Sequence, residues 1–102
     1  MAAWIYFIHP PRDDFMATIT DAERATFGRH ADHLDRLFAE GTLVLAGPTF
    51  GRVNTGIAVI EAEDEAAARA IMEADPAVAE GVMTGELREM RVSFLRGRPA
   101  PG

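Results

Sequence analysis

A capping box and a glycine bracket the longest periodic stretch of the chain, residues 20–41, and any fold has to find a surface for the helix they define. Thr20 is followed three residues later by Glu23. In this pattern the threonine hydroxyl accepts from a backbone amide of the first turn while the glutamate accepts from the cap's own amide, so a helix starts near Asp21. Gly41 follows the last periodic residue and can take the left-handed conformation that ends a helix. At about 100° per residue, Phe27, His30, Ala31, Leu34, Leu37 and Phe38 share one face, which sets His30 inside the apolar stripe and His33 on its flank. Read from these residues alone, His30 is a core imidazole satisfied by a backbone carbonyl. Gly28 costs about 1 kcal/mol relative to alanine inside a helix, and close approach by another backbone or a ligand would account for it.

The remaining chain suits one domain over residues 1–96 with a flexible tail at 97–102. Hydrophobic residues make up 48% and charged residues 25%, as in an ordinary globular protein. A net charge of −6 and a sequence pI near 4.9 argue against nucleic acid and anionic membranes as partners, because both need a basic patch. All ten basic residues are arginines, and they are scattered. Without cysteine there is no disulfide framework, thiolate metal site or cysteine nucleophile. The N-terminal run AAWIYFI is too short and lacks the basic flank of a targeting segment, and no run is long enough to span a membrane, so a cytoplasmic location is expected.

Residues 3–9 read as a first strand, with Trp4, Tyr6 and Ile8 on one face and Ile5, Phe7 and His9 on the other. Pro10 and Pro11 end it, and residues 10–19 form a long loop, a candidate lid. Residues 42–47 read as a second strand ended by Pro48, and residues 55–62 as a third. Asp64 caps a second helix, EAAARAIMEA. Asp75 then caps a short turn that opens on Pro76 and closes at Gly81, and residues 86–95 read as a fourth strand. The order βαββαβ matches a ferredoxin-like α+β fold, a four-stranded antiparallel sheet with both helices on one face and strands one and three central. The uncovered face is apolar on strands one and three, and a homodimer of the dimeric α/β barrel type would bury it.

This topology brings the end of strand one, the start of helix one, the turn after Gly47 and Pro48, and Asp75-Pro76 to the same end of the sheet. An imidazole and a carboxylate could meet there, and a carboxylate on one ring nitrogen fixes the tautomer that makes the other an acid or base. At this point the chain resembles the YCII-related (YciI-like) family. The likeness rests on His30 eleven residues before Gly41 with Leu34 and Leu37 between, on LVLAGP at 43–48, and on ADPAVAEGV at 74–82. The resemblance implies a ferredoxin-like dimer with a His–Asp pair as the suggested active site, here His30 and Asp75. It names no substrate.

Asp75 as a helix cap alone is the structural alternative. His9, His33, Gly47 and Pro48 are further candidates for the substrate pocket. Three scattered histidines show no HExxH or other ligand spacing, so no metal and no cofactor are expected. The segment GPTFG opens no helix and is not a phosphate loop, and no nucleophilic serine motif is present. Two functions follow. One is a small cofactor-independent enzyme using His30 and Asp75 for acid/base chemistry, an elimination or isomerisation of a small organic molecule. The other is a non-catalytic dimeric module that binds a small ligand or regulates a partner. Cofactor-free oxygenation is a third reading, by analogy with other dimers of this fold.

Overall fold

A computed structural model describes residues 2–97 of the chain. Helix α1 (Asp21–Ala39) begins and ends as its caps dictate. The Thr20 hydroxyl accepts from the Glu23 amide at 3.1 Å, and Glu23 accepts from the Thr20 amide at 2.9 Å. At the other end Gly41 takes φ 82°, and the Gly41 and Thr42 amides donate to the Phe38 and Leu37 carbonyls, a Schellman motif that only a residue tolerant of the left-handed region completes.

The other elements are β1 (Ala2–His9), β2 (Leu43–Pro48), β3 (Gly56–Ala62), α2 (Glu65–Ala74), α3 (Pro76–Ala79) and β4 (Thr84–Met90). The strands form one antiparallel sheet in the order β2-β3-β1-β4, the ferredoxin-like α+β arrangement with β1 and β3 central. Strand period two divides the residues cleanly. Trp4, Tyr6, Ile8, Ala58, Ile60 and Ala62 turn into a core that also holds Leu37, Leu43, Ala68, Met72, Ala77 and Met83. On the other side of the sheet Ile5 pairs with Val59 and Phe7 with Ile57. Gly56 has a packing reason, because a Cβ there would lie 2.7 Å from Ile8 Cγ1.

The fourth strand differs from the expected 86–95. It starts at Thr84, opposite His9, and stops at Met90, opposite Ala3, one residue short of the start of β1. Residues 91–95 therefore carry strand-forming side chains without a strand, and Phe94 is 97% exposed. The expected tail lies outside the described residues apart from Gly97. Among the described residues no helix is long and apolar enough to cross a membrane.

The long 10–19 loop is anchored at many points, contrary to a free lid. Arg12 donates to both carboxylate oxygens of Glu23 at 2.8 and 2.7 Å and to the Thr18 carbonyl, and its guanidinium lies 4.9 Å over the Phe15 ring. The Met16 amide donates to Asn54 Oδ1, while Asn54 Nδ2 donates to the Thr49 and Gly51 carbonyls. One buried amide side chain thus locks the loop to the β2–β3 turn.

Candidate active site

Asp75 ends α2 and caps α3, with φ −64° and ψ 122° breaking the helical path as the following proline requires. Its Oδ1 accepts from the Ala77 amide at 2.9 Å, so it is the cap expected of it. It is also fully buried, with 0% exposure, and its carboxylate accepts two further hydrogen bonds. His30 Nδ1 lies 2.8 Å from Oδ1 and 2.9 Å from Oδ2, and the Tyr6 hydroxyl donates to Oδ2 at 2.8 Å. Burial alone would raise the Asp75 carboxyl. The bond and charge of His30, then the Ala77 amide and the Tyr6 hydroxyl, outweigh it and hold the group below the usual aspartate value. The Tyr6 hydroxyl is held strongly protonated by its own burial and by the adjacent carboxylate.

A carboxylate only accepts, so His30 Nδ1 carries the proton in this pair and Nε2 is the free nitrogen of the neutral ring. The ring is braced from the helix side by Phe27, edge-on at 5.1 Å, which in turn meets Phe15 at 5.7 Å. His30 lines a cavity of about 430 Å³ between α1 and the sheet. Its walls are mainly apolar: Ile8, Phe15, Ile19, Phe27, Leu34 and Met83, with Gly47, Pro48 and Asn54 at the β2–β3 end. Tyr6 also lines it. The cavity thus sits at the end of the sheet where the topology gathers the loops.

A clamp holds the two halves of the pair together. Glu80, just past α3, accepts from Arg29 Nε at 2.8 Å and from the Thr26 hydroxyl at 2.8 Å, tying α1 to the segment that carries Asp75. The bonds from Arg29, then from Thr26, hold the Glu80 carboxyl down to about 2. Because the folded value is depressed, the stability this clamp contributes is complete above the ordinary glutamate value of 4.5 and is lost as pH falls toward 2. Glu80→Gln should therefore flatten the acid limb of an unfolding titration in that window, read by circular dichroism. An unchanged acid limb would show that the clamp contributes nothing.

A sequence model of the YCII-related domain matches residues 3–91. The chain belongs to the YCII-related domain family. Among solved structures, this YCII-related chain superposes on the 5-chloro-2-hydroxyhydroquinone dehydrochlorinase TftG of Burkholderia phenoliruptrix AC1100, in its complex with 2,5-dihydroxybenzoquinone. The TM-score is 0.66 at 19% identity, covering 97% of this chain and 100% of the other, a likeness that establishes the fold. No curated protein matches the chain.

Three of the six residues singled out in this YCII-related sequence line the cavity, His30, Gly47 and Pro48, and Asp75 lies behind His30, bonded to its ring and fully buried. His9 and His33 do not line it. His9 points to the other face of the sheet, stacked on Phe7, with Nε2 donating to Glu86 at 2.8 Å and Nδ1 3.2 Å from the Thr55 hydroxyl. His33 faces inward from the far side of the α1 stripe and is only 4% exposed. Its Nδ1 accepts from Arg36 Nη2 at 3.1 Å, which leaves the proton on Nε2, buried and without a partner. Such a donor costs about 1–3 kcal/mol. His33→Leu, close in volume, should be neutral or stabilising in urea denaturation, and a loss above about 1 kcal/mol would show an unseen polar partner. Among the described residues no group of three or more His, Asp or Glu side chains gathers as metal ligands would.

Proposed function

We propose that the chain is a small cofactor-independent enzyme that moves a proton on a cyclic or carbonyl-bearing molecule, in an elimination or an isomerisation. One observation carries this reading: an imidazole bonded to a fully buried carboxylate, with its other nitrogen free at an apolar cavity of about 430 Å³. Nε2 takes a proton from an acidic C–H or O–H of the substrate, and the electron pair of that bond becomes a new π bond. In an elimination a leaving group departs with its electrons. In an isomerisation Nε2–H returns the proton at another atom. Asp75 keeps Nδ1–H in place and stabilises the imidazolium formed in between, while the Tyr6 hydroxyl fixes the carboxylate from below. The apolar walls exclude water from the intermediate. The dehydrochlorinase that shares the fold performs an elimination, which fits the first form.

The test is turnover on chlorinated hydroxyhydroquinones and related cyclic ketones, with halide release and isomer formation as readouts. Products formed by the wild type and lost in His30→Asn support the reading. Binding without turnover replaces it with a non-catalytic module.

The same reading includes a homodimer. The sheet face away from the helices presents Ile5, Phe7 and Ile57, with Leu45 and Met90 exposed at its edges, and a second copy is the partner that symmetry provides. Sedimentation of the full chain at micromolar concentration should give a dimer. A stable soluble monomer would remove this part of the proposal.

A further inference from the structure

We infer that the cavity selects an apolar ring molecule carrying one negative charge, and that Arg24 is the residue that holds the charge. The inference rests on the cavity being the substrate site proposed above. Arg24, Phe27, Ala31 and Leu34 fall on one stripe of α1 at i, i+3, i+7 and i+10, and all four line the cavity. A cation heads an otherwise apolar row. Apart from His30, it is the only ionisable nitrogen in the wall, and no Asp or Glu side chain lines the cavity with it. The other polar lining groups are engaged: the Tyr6 hydroxyl with Asp75, and the Asn54 amide with the loop and turn backbone.

Six other arginines make the contrast, and Arg91 and Arg96, which follow β4, do not line the cavity. Arg12, Arg29, Arg52, Arg69 and Arg88 each pair with a carboxylate, and Arg36 donates to His33. Arg24 is in none of these pairs, and among the described residues its guanidinium has no hydrogen-bond or ion-pair partner. The chain as a whole carries a net charge of −6 and repels anions, so a preference for an anion has to come from a local cation. Guanidinium and carboxylate also match in geometry, with two parallel N–H donors for two oxygens.

Position sets the length of the molecule. Arg24 and His30 are six residues apart, about 9 Å along the helix axis, and the Arg24 side chain leans toward the helix start. A ligand that places its charge at Arg24 and its reacting atom at His30 is therefore a fused bicyclic ring, or one ring with a short acidic arm. Phe15 and Phe27 supply the surface for the ring between the two ends.

The test measures binding to the full chain by calorimetry, using 2-naphthoate and trans-cinnamate, each matched with its neutral carboxamide. The wild type should bind each carboxylate about tenfold more tightly than its carboxamide, a preference that weakens with added salt. Arg24→Gln should remove the preference while leaving carboxamide affinity unchanged, and Arg24→Lys should restore part of it. A preference that survives Arg24→Gln overturns the inference, as does equal or absent binding of acid and amide in the wild type. His30→Asn separates the two proposals. It should lose turnover and keep the acid preference, so turnover that survives in it overturns only the acid/base reading, and an acid preference lost with the imidazole overturns only the assignment to Arg24.

Discussion

His30→Asn and Asp75→Asn are each expected to lower turnover by roughly 10²- to 10⁴-fold, with the double variant little worse than either alone. The expectation follows from geometry in which the two side chains act as one unit. Nε2 does the proton transfer, and the carboxylate, 2.8 Å from Nδ1, determines which nitrogen is free and stabilises the charged ring. Removing the imidazole removes the acid/base group. Replacing the carboxylate by an amide leaves an acceptor but no charge, so the imidazolium loses its counter-charge in a site where Asp75 has 0% exposure and water cannot substitute. Once either is gone, the other has nothing left to act through. Single and double variants whose losses multiply would mean that the two residues act independently and that the pairing is only structural. Circular dichroism of each variant checks that the compared proteins are folded.

How much of this was legible in the sequence depends on which interaction defines each feature. The capping box at Thr20, the stop at Gly41 and the caps at Asp64 and Asp75 are local, and the structure shows each of them. The topology followed from element order alone. The apolar stripe of α1 reads as a core face, yet it serves two surroundings. Phe27, Ala31 and Leu34 line the cavity, while the buried set is Thr26, His33 and Leu37, turned by roughly 105° at 100° per residue. Apolar periodicity records removal from water and does not say whether protein or ligand covers the residue. That is why His33 looked like a flank residue and is buried, and why Phe38, read into the stripe, is exposed. The sequence sets Tyr6 on one face of β1 with Trp4 and Ile8 and gives it no role, because its partner Asp75 lies 69 positions away and no spacing links them. The one available signal was that the only tyrosine of the chain sits inside, where its hydroxyl needs an acceptor. Residues 91–95 have the composition of a strand, and only the pairing register, which ends at Met90, shows that they do not form one.

The largest stability effect is expected at the same aspartate, and it separates capping from the buried network. On the cap alone, asparagine would serve as well as aspartate. The structure predicts otherwise, because the Asp75 carboxylate accepts from the Ala77 amide, His30 Nδ1 and the Tyr6 hydroxyl at once. Asp75→Ala strands all three donors, two of them on buried or half-buried side chains, and should cost about 3–5 kcal/mol in urea denaturation at neutral pH. Asp75→Asn keeps one oxygen, enough for Ala77 and His30, but turns an amide N–H toward the Tyr6 oxygen, which accepts it only by swinging its own buried O–H away from its acceptor, and should cost about 1–3 kcal/mol. Tyr6→Phe removes that conflict. Asp75→Asn should therefore cost less in a Tyr6→Phe background than in the wild type, with a coupling of about 0.5–3 kcal/mol. The pH dependence has a definite sign. The folded carboxyl lies below its ordinary value of 3.8, so its contribution is complete above that pH and is lost as pH falls through the folded value. The gap between wild type and Asp75→Asn should accordingly narrow in acid. Asp75→Ala within about 1 kcal/mol of the wild type at neutral pH, or zero coupling between the two sites, would mean that the carboxylate is no more than a cap.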